Sequence, residues 1–187
     1  MPTLPPDPFH PDGIAGFASR LRRGETSAEA VTSAYLARIQ ALDPHLGAFE
    51  LVDAANALAT ARAHDRLLAS GTDLGPLMGV PVGVKDIVAV KGAPTRAGSK
   101  LDVADLIGGE GAFVAALKRA GTVIVGKTKT AEFAIGRGGA NAVRGTPKNP
   151  WARDDHVIPG GSSSGSGVAV AAGLCAFAIG SDTGGSV

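Results

Sequence analysis

Apolar residues recur at three- and four-residue spacing through IAGFASRLRRG, AVTSAYLARIQAL and AANALATARAHDRLLAS, the period of helices with one buried face. The pattern predicts helices over about 14–23, 27–42 and from near Asp53 to Gly71. Thr26 and Glu29 lie at capping-box spacing ahead of the second. Gly71 supplies the left-handed residue a helix end favours. On this reading three helices precede any strand. After Gly75 and Pro76 the period changes. GVPVGVKDIVAV is Val-rich and punctuated by Gly and Pro, so it reads as a buried strand at about 80–85. GEGAFVAALKRAG then reads as a helix closed by Gly121, and TVIVGK as a second buried strand. Strand, helix, strand suggests a parallel unit.

Two stretches escape this periodicity. MPTLPPDPFHPDG, residues 1–13, holds too many prolines for a helix or a central strand and reads as an extended, peripheral arm. Gly136 to Pro159 is polar and irregular, a loop of more than 20 residues, and loops of that length usually carry function. It leads into GGSSSGSG, the small-residue run VAVAAGLCAFAIG, and a final SDTGGSV. A Gly-Gly-Ser turn directly after core-like residues suits the interior of a domain, so the 187 residues read as the N-terminal part of a larger one.

Composition narrows the function classes. With 44% hydrophobic and 19% charged residues, the chain is too apolar for a disordered segment. A formal charge of +1 gives no clustered basic surface for nucleic acid or an anionic membrane. No apolar run approaches 18 residues and no signal peptide is evident, so a cytoplasmic enzyme is expected. Cys175, the single cysteine, reads as a buried small hydrophobe. The 27 glycines are about twice the usual share of roughly 7%. With only 4% aromatics, they point to a closely packed α/β core of small side chains.

GGSSSGSG, residues 160–167, places backbone N–H groups ahead of an apolar helix, where an anion is held in phosphate-binding loops. The lysine that such a loop requires is absent, since Ser166 and Gly167 follow Gly165, and the dinucleotide pattern lacks its last glycine. No histidine is well placed for a Ser-His-Asp triad: His10 lies in the arm, His45 and His64 in helical or turn segments, and His156 beside Asp154 and Asp155 in the long loop. Those three adjacent residues read as a solvated loop, not a metal centre. Serine with lysine remains. A lysine becomes a general base only when its surroundings lower its pKa from about 10.4. Lys85 has the most apolar setting of any lysine here, yet most lysines are solvated charges, so context alone leaves its role open.

Residues 160–187, GGSSSGSGVAVAAGLCAFAIGSDTGGSV, resemble the signature segment of the amidase signature family, hydrolases of carboxamide bonds with a Ser-cis-Ser-Lys triad. GVPVGVKDIV at 79–88, GKTKTAEFA at 126–134 and TPKNPWARDDHVIPGG at 146–161 also resemble family text, in the same order, so the likeness covers roughly residues 25–187. It implies Ser186 as nucleophile, Ser162 as bridging serine after a cis peptide bond from Gly161, and Lys85 as base. Thr183, Gly184, Gly185 and Ser186 would supply oxyanion-hole N–H groups, each well-placed donor contributing about 3 to 4 kcal/mol. Ser163 would be a supporting hydrogen bonder and Asp182 a holder of the turn. The implied fold is a mixed central β-sheet flanked by helices, an α/β architecture with an N-terminal helical segment. The chain would form one partial amidase domain: arm 1–13, helical segment 14–75, and the start of the catalytic core at 76–187. The resemblance implies a small-molecule amide substrate, no cofactor and no metal, and allows a homodimer. The A subunit of tRNA-dependent amidotransferases, which frees ammonia for partner subunits, is similar too, although GRGGANAVRG at 136–145 departs from it. The family pattern continues past Val187 with an arginine and substrate-pocket residues, so substrate identity is not legible.

Overall fold

The computed structural model describes residues 6–152 and 157–187. Among the described residues five α-helices and four strands run in the order α1 (Gly13–Arg22), α2 (Ala28–Leu46), β1 (Phe49–Val52), α3 (Ala54–Ala69), β2 (Pro81–Lys85), α4 (Ala112–Arg119), β3 (Val123–Thr128), α5 (Ser164–Ala171) and β4 (Phe177–Ile179). The strands form one mixed sheet in the order β1-β3-β2-β4. β2 lies parallel to β3 and to β4, and β1 is antiparallel to β3. The parallel unit read from the sequence is therefore β2-α4-β3. Its strands PVGVK and VIVGKT are buried almost throughout, as continuous apolar runs in a parallel sheet require.

The helices cover the sheet with small side chains. One core cluster joins Ile39 of α2, Ala57 and Ala61 of α3, Val123 and Val125 of β3, and Val168 and Ala169 of α5. A long-range cap fixes the α2–α3 pair. The Asp65 carboxylate of α3 accepts the Ala28 and Glu29 N–H groups at 2.7 and 3.0 Å, satisfying two of the orphan donors at the start of α2. The side chain of Ser27 takes a third, from Ala30 at 3.0 Å. At the far side, Arg38 of α2 donates to the carbonyls of Ala172 and Gly173 just past the end of α5, at 3.0 and 2.6 Å. Cys175 is buried nearby, and burial pushes its thiol up to about 12.

Several expectations need correction. A strand, β1, lies between the second and third helices, so two helices and not three precede the sheet. Four residues at the sheet edge, paired with β3 alone, carry too little local pattern to stand out, because their pairing is non-local. α2 runs four residues further than expected, through Pro44, and ends at Gly47 with φ 63°. The arm is neither extended nor peripheral in its described part: residues 8–12 form turns, and Phe9 is buried with ring centroids 4.9 Å from Phe17 and 5.5 Å from Tyr35. The Tyr35 hydroxyl donates to Asp7 at 2.9 Å. The glycine-serine loop is also shorter than it reads, since α5 begins inside it at Ser164.

The polar stretch from 136 onward forms no helix or strand among its described residues, but it is held in place. Buried Asn141 donates to the carbonyls of Gly98 and Thr130 at 2.7 and 2.9 Å and accepts from the N–H groups of Val143 and Arg144. Asp154, Asp155 and His156 lie outside the described residues. Among the described residues no helix is long and apolar enough to cross a membrane.

Candidate active site

The parallel arrangement brings the C-terminal end of β2 against the N-terminal end of α5, with the segment after β4 closing the third side. Lys85 is the last residue of β2 and is fully buried. Its Nζ donates to Ser162 Oγ at 2.7 Å, Ser163 Oγ at 2.9 Å and Ser181 Oγ at 2.9 Å, with the Ser181 carbonyl at 3.3 Å. Burial lowers the Lys85 pKa to about 8, against the opposing pull of the Asp182 carboxylate. The partial positive charge at the start of α5 adjoins Ser163 and likewise disfavours the charged form of Lys85.

Ser163 shows what its neighbours have been recruited for. It occupies the N-cap position of α5, where a serine oxygen ordinarily accepts from the helix's own first N–H groups, yet it makes no such cap. Its Oγ instead accepts from Lys85 Nζ and stands 3.3 Å from the Ser181 amide nitrogen. The Gly161–Ser162 peptide is cis. The Ser162 carbonyl accepts from Thr130 Oγ1 at 3.0 Å and from the Ala131 N–H at 3.1 Å, so its main chain is fastened to the segment following β3. Two glycines permit this crowding. A Cβ on Gly165 would fall 2.2 Å from the Ala48 carbonyl oxygen and 2.4 Å from the Lys129 nitrogen, and one on Gly161 2.4 Å from the Gly139 Cα.

Ser186 reaches the cluster through main chain: its carbonyl accepts from the Ser163 N–H at 3.1 Å. Among the described residues no hydrogen bond joins its hydroxyl to Ser162. Asp182 accepts at Oδ1 from the N–H groups of Gly185 and Ser186, at 2.5 and 2.9 Å, which holds the turn and keeps its carboxylate below the ordinary range. Two of the four N–H groups expected at an oxyanion hole are thus hydrogen-bonded to Asp182, and that of Gly184 also supports its negative charge. The structure therefore gathers Lys85, Ser162 and Ser163 closely, and sets Ser186 beside them on an exposed turn. His10, His45 and His64 make no hydrogen bond to this cluster.

Ser181 was not singled out from the sequence, although it directly precedes Asp182 in the matched segment. Asp86 and Lys127 also went unassigned. They form an ion pair at 2.9 Å with both side chains 1% exposed, immediately beyond Lys85. Their only signal was a place inside the VKD and GKTKT texts, since nothing local tells a buried charge from a solvated one.

A cluster of serines around a buried lysine of lowered pKa has the chemistry for acyl transfer without histidine. The amidase family model matches residues 30–187. The chain belongs to the amidase family. It is 45% identical over 174 residues to 2-amino-5-chloromuconic acid deaminase of Comamonas testosteroni, covering 93% of this chain and 38% of that protein. It is 48% identical over 170 residues to the A subunit of the glutamyl-tRNA(Gln) amidotransferase of Acidothermus cellulolyticus, covering 91% and 33%. The native peptide amidase from Stenotrophomonas maltophilia superposes with a TM-score of 0.81 at 37% identity, over 92% of this chain and 36% of that one. This family member thus spans little more than a third of the length of such relatives, and the α/β fold above is the corresponding part of theirs.

Proposed function

We propose that the protein hydrolyses a carboxamide C–N bond to a carboxylate and ammonia or an amine, through an acyl-enzyme on Ser186. The observation that carries this reading is the 2.7 Å contact between Lys85 Nζ and Ser162 Oγ in a buried site. In its neutral form Lys85 takes the proton of Ser162 while Ser162 takes that of Ser186, so the Ser186 oxygen attacks the amide carbon. Backbone N–H groups of the 183–186 turn stabilise the negative charge that grows on the carbonyl oxygen. In that step the Asp182 carboxylate yields the N–H groups of Gly185 and Ser186 to the substrate. The relay then reverses and protonates the departing nitrogen as the C–N bond breaks. Water attacks the ester, the carboxylate leaves, and Ser186 regains its proton.

Ammonia release from benzamide and amino-acid amides by the purified whole protein tests this reading. Turnover is expected from the wild type and none from Ser186→Ala. Turnover that survives Ser186→Ala contradicts it. A second reading, a glutaminase-type A subunit serving partner subunits, is favoured by the 48% identity to the Acidothermus amidotransferase component. Co-purification with two other subunits, and glutamine as the preferred amide, would select it.

A further inference from the structure

The end of β3 holds both halves of the site. In β2–β3 pairing Lys85 lies opposite Thr128, and Val84 opposite Lys127. Thr128 Oγ1 lies 2.7 Å from Ser166 Oγ of α5, and Thr130 Oγ1 donates to the Ser162 carbonyl. These contacts fix the serine side. Lys127 fixes the other: its Nζ donates to Asp86 Oδ1 at 2.9 Å, to Thr95 Oγ1 at 2.8 Å and to the Pro94 carbonyl at 3.3 Å. The second carboxylate oxygen of Asp86 accepts the Arg96 N–H at 3.1 Å, its N–H donates to the Thr128 carbonyl, and its own carbonyl accepts from Ala97. Every polar group of the residue after Lys85 is therefore committed.

A buried ion pair is a poor device for stability, because desolvation of the two charges offsets their attraction. Burial indeed pushes Asp86 up and Lys127 down, each away from its charged form. The surrounding charges do little to relieve this: Arg96 acts against the Lys127 cation and Glu50 against the Asp86 anion. Such a pair has value where it specifies one geometry.

We infer that the Lys127–Asp86 pair is a positioning device for Lys85, pinning the end of β2 so that Nζ stays within the three-serine cluster and away from water. This rests on the amidase reading for its catalytic consequence, but not for its structural one. Lys127 touches no reacting atom, and acts through Asp86 on the neighbouring residue. Freed from the pin, Lys85 gains solvent and its proton affinity rises toward that of an ordinary lysine. Among the described residues Asp182 is the carboxylate that acts on Lys85, and it is left untouched by changes at 86 or 127.

The test is a lysine-selective NMR titration of Lys85 in the whole protein, assigned with Lys85→Met and repeated in Lys127→Met and in Asp86→Leu/Lys127→Met. The double variant removes both charges and spares the fold an unpaired buried ion. The expected result is an upward move of the Lys85 midpoint by at least about 0.5 unit. With it comes a ten- to hundredfold fall in kcat, KM staying within about twofold. A folded double variant whose Lys85 titrates within about 0.2 unit of the wild type overturns the inference. So does loss of the folded state in both variants, since the pair then serves the fold itself. The titration reads Lys85 whether or not amides are hydrolysed, so a wild type without turnover counts against the amidase reading alone.

Discussion

Arginine at position 85 separates the two tasks assigned to that side chain, holding the serine loop and removing a proton. It keeps a cation and hydrogen-bond donors, but it does not deprotonate near neutral pH. Lys85 titrates at about 8 because burial disfavours its charged form more than Asp182 supports it. At pH 7 about one Lys85 in ten is then neutral, where an unperturbed lysine would be neutral about once in 2,500 molecules. A guanidinium holds its proton far more tightly, and its neutral fraction at that pH is on the order of a few per million or less. Since only the neutral form accepts the Ser162 proton, Lys85→Arg lowers kcat/KM at pH 7 by about four orders of magnitude. The same argument sets the wild-type profile: as pH falls below about 8, protonation of Lys85 removes the base and kcat/KM drops about tenfold per unit, and above it the rate levels off. The assay is initial ammonia release from a carboxamide between about pH 6 and 10, with circular dichroism to show that the variant is folded. A variant within about tenfold of the wild type at pH 7, or a wild-type profile flat from about pH 6 to 9, refutes the reasoning.

Other changes have equally definite outcomes. On the proposed relay from Ser186 through Ser162 to Lys85, Ser162→Ala lowers kcat by about 10²–10⁴-fold, measured by single-turnover kinetics. Asp65→Ala uncovers the Ala28 and Glu29 N–H groups and destabilises the fold by about 1–2 kcal/mol in urea denaturation, with the site geometry intact. Arg38→Ala strips two carbonyls beyond α5 of a buried donor and costs about 2–3 kcal/mol by the same measurement. Gly165→Ala drives a Cβ onto the main chain at Ala48 and Lys129, and it lowers stability and activity together.

β4, three half-buried residues within the run VAVAAGLCAFAIG, was not read as a strand, while β2, β3 and the helices were legible because each carries its own hydrophobic run or period. β1 was not, since four residues acquire strand character only from β3 on the far side of α3 and α4. The turn around Phe9 was hidden by prolines that exclude regular structure without saying where an aromatic side chain will pack. At the site, Lys85 and the serines were found through an extended sequence pattern, and the geometry adds the distances that chemistry needs. Ser181, Thr130 and the Lys127–Asp86 pair have no such signature. Each is an ordinary polar residue whose place around Lys85 and the serines is a property of the folded chain, Thr130, Asp86 and Lys127 being buried and Ser181 half-buried.

The central claim is that Ser186 is the nucleophile, and covalent capture addresses it most directly. The whole protein, treated with a serine-directed fluorophosphonate and analysed by intact and peptide mass, should gain one adduct, mapped to Ser186. Lys85→Arg should label far more slowly and Ser186→Ala not at all. An adduct on a different serine, or undiminished labelling of Ser186→Ala, would contradict the account.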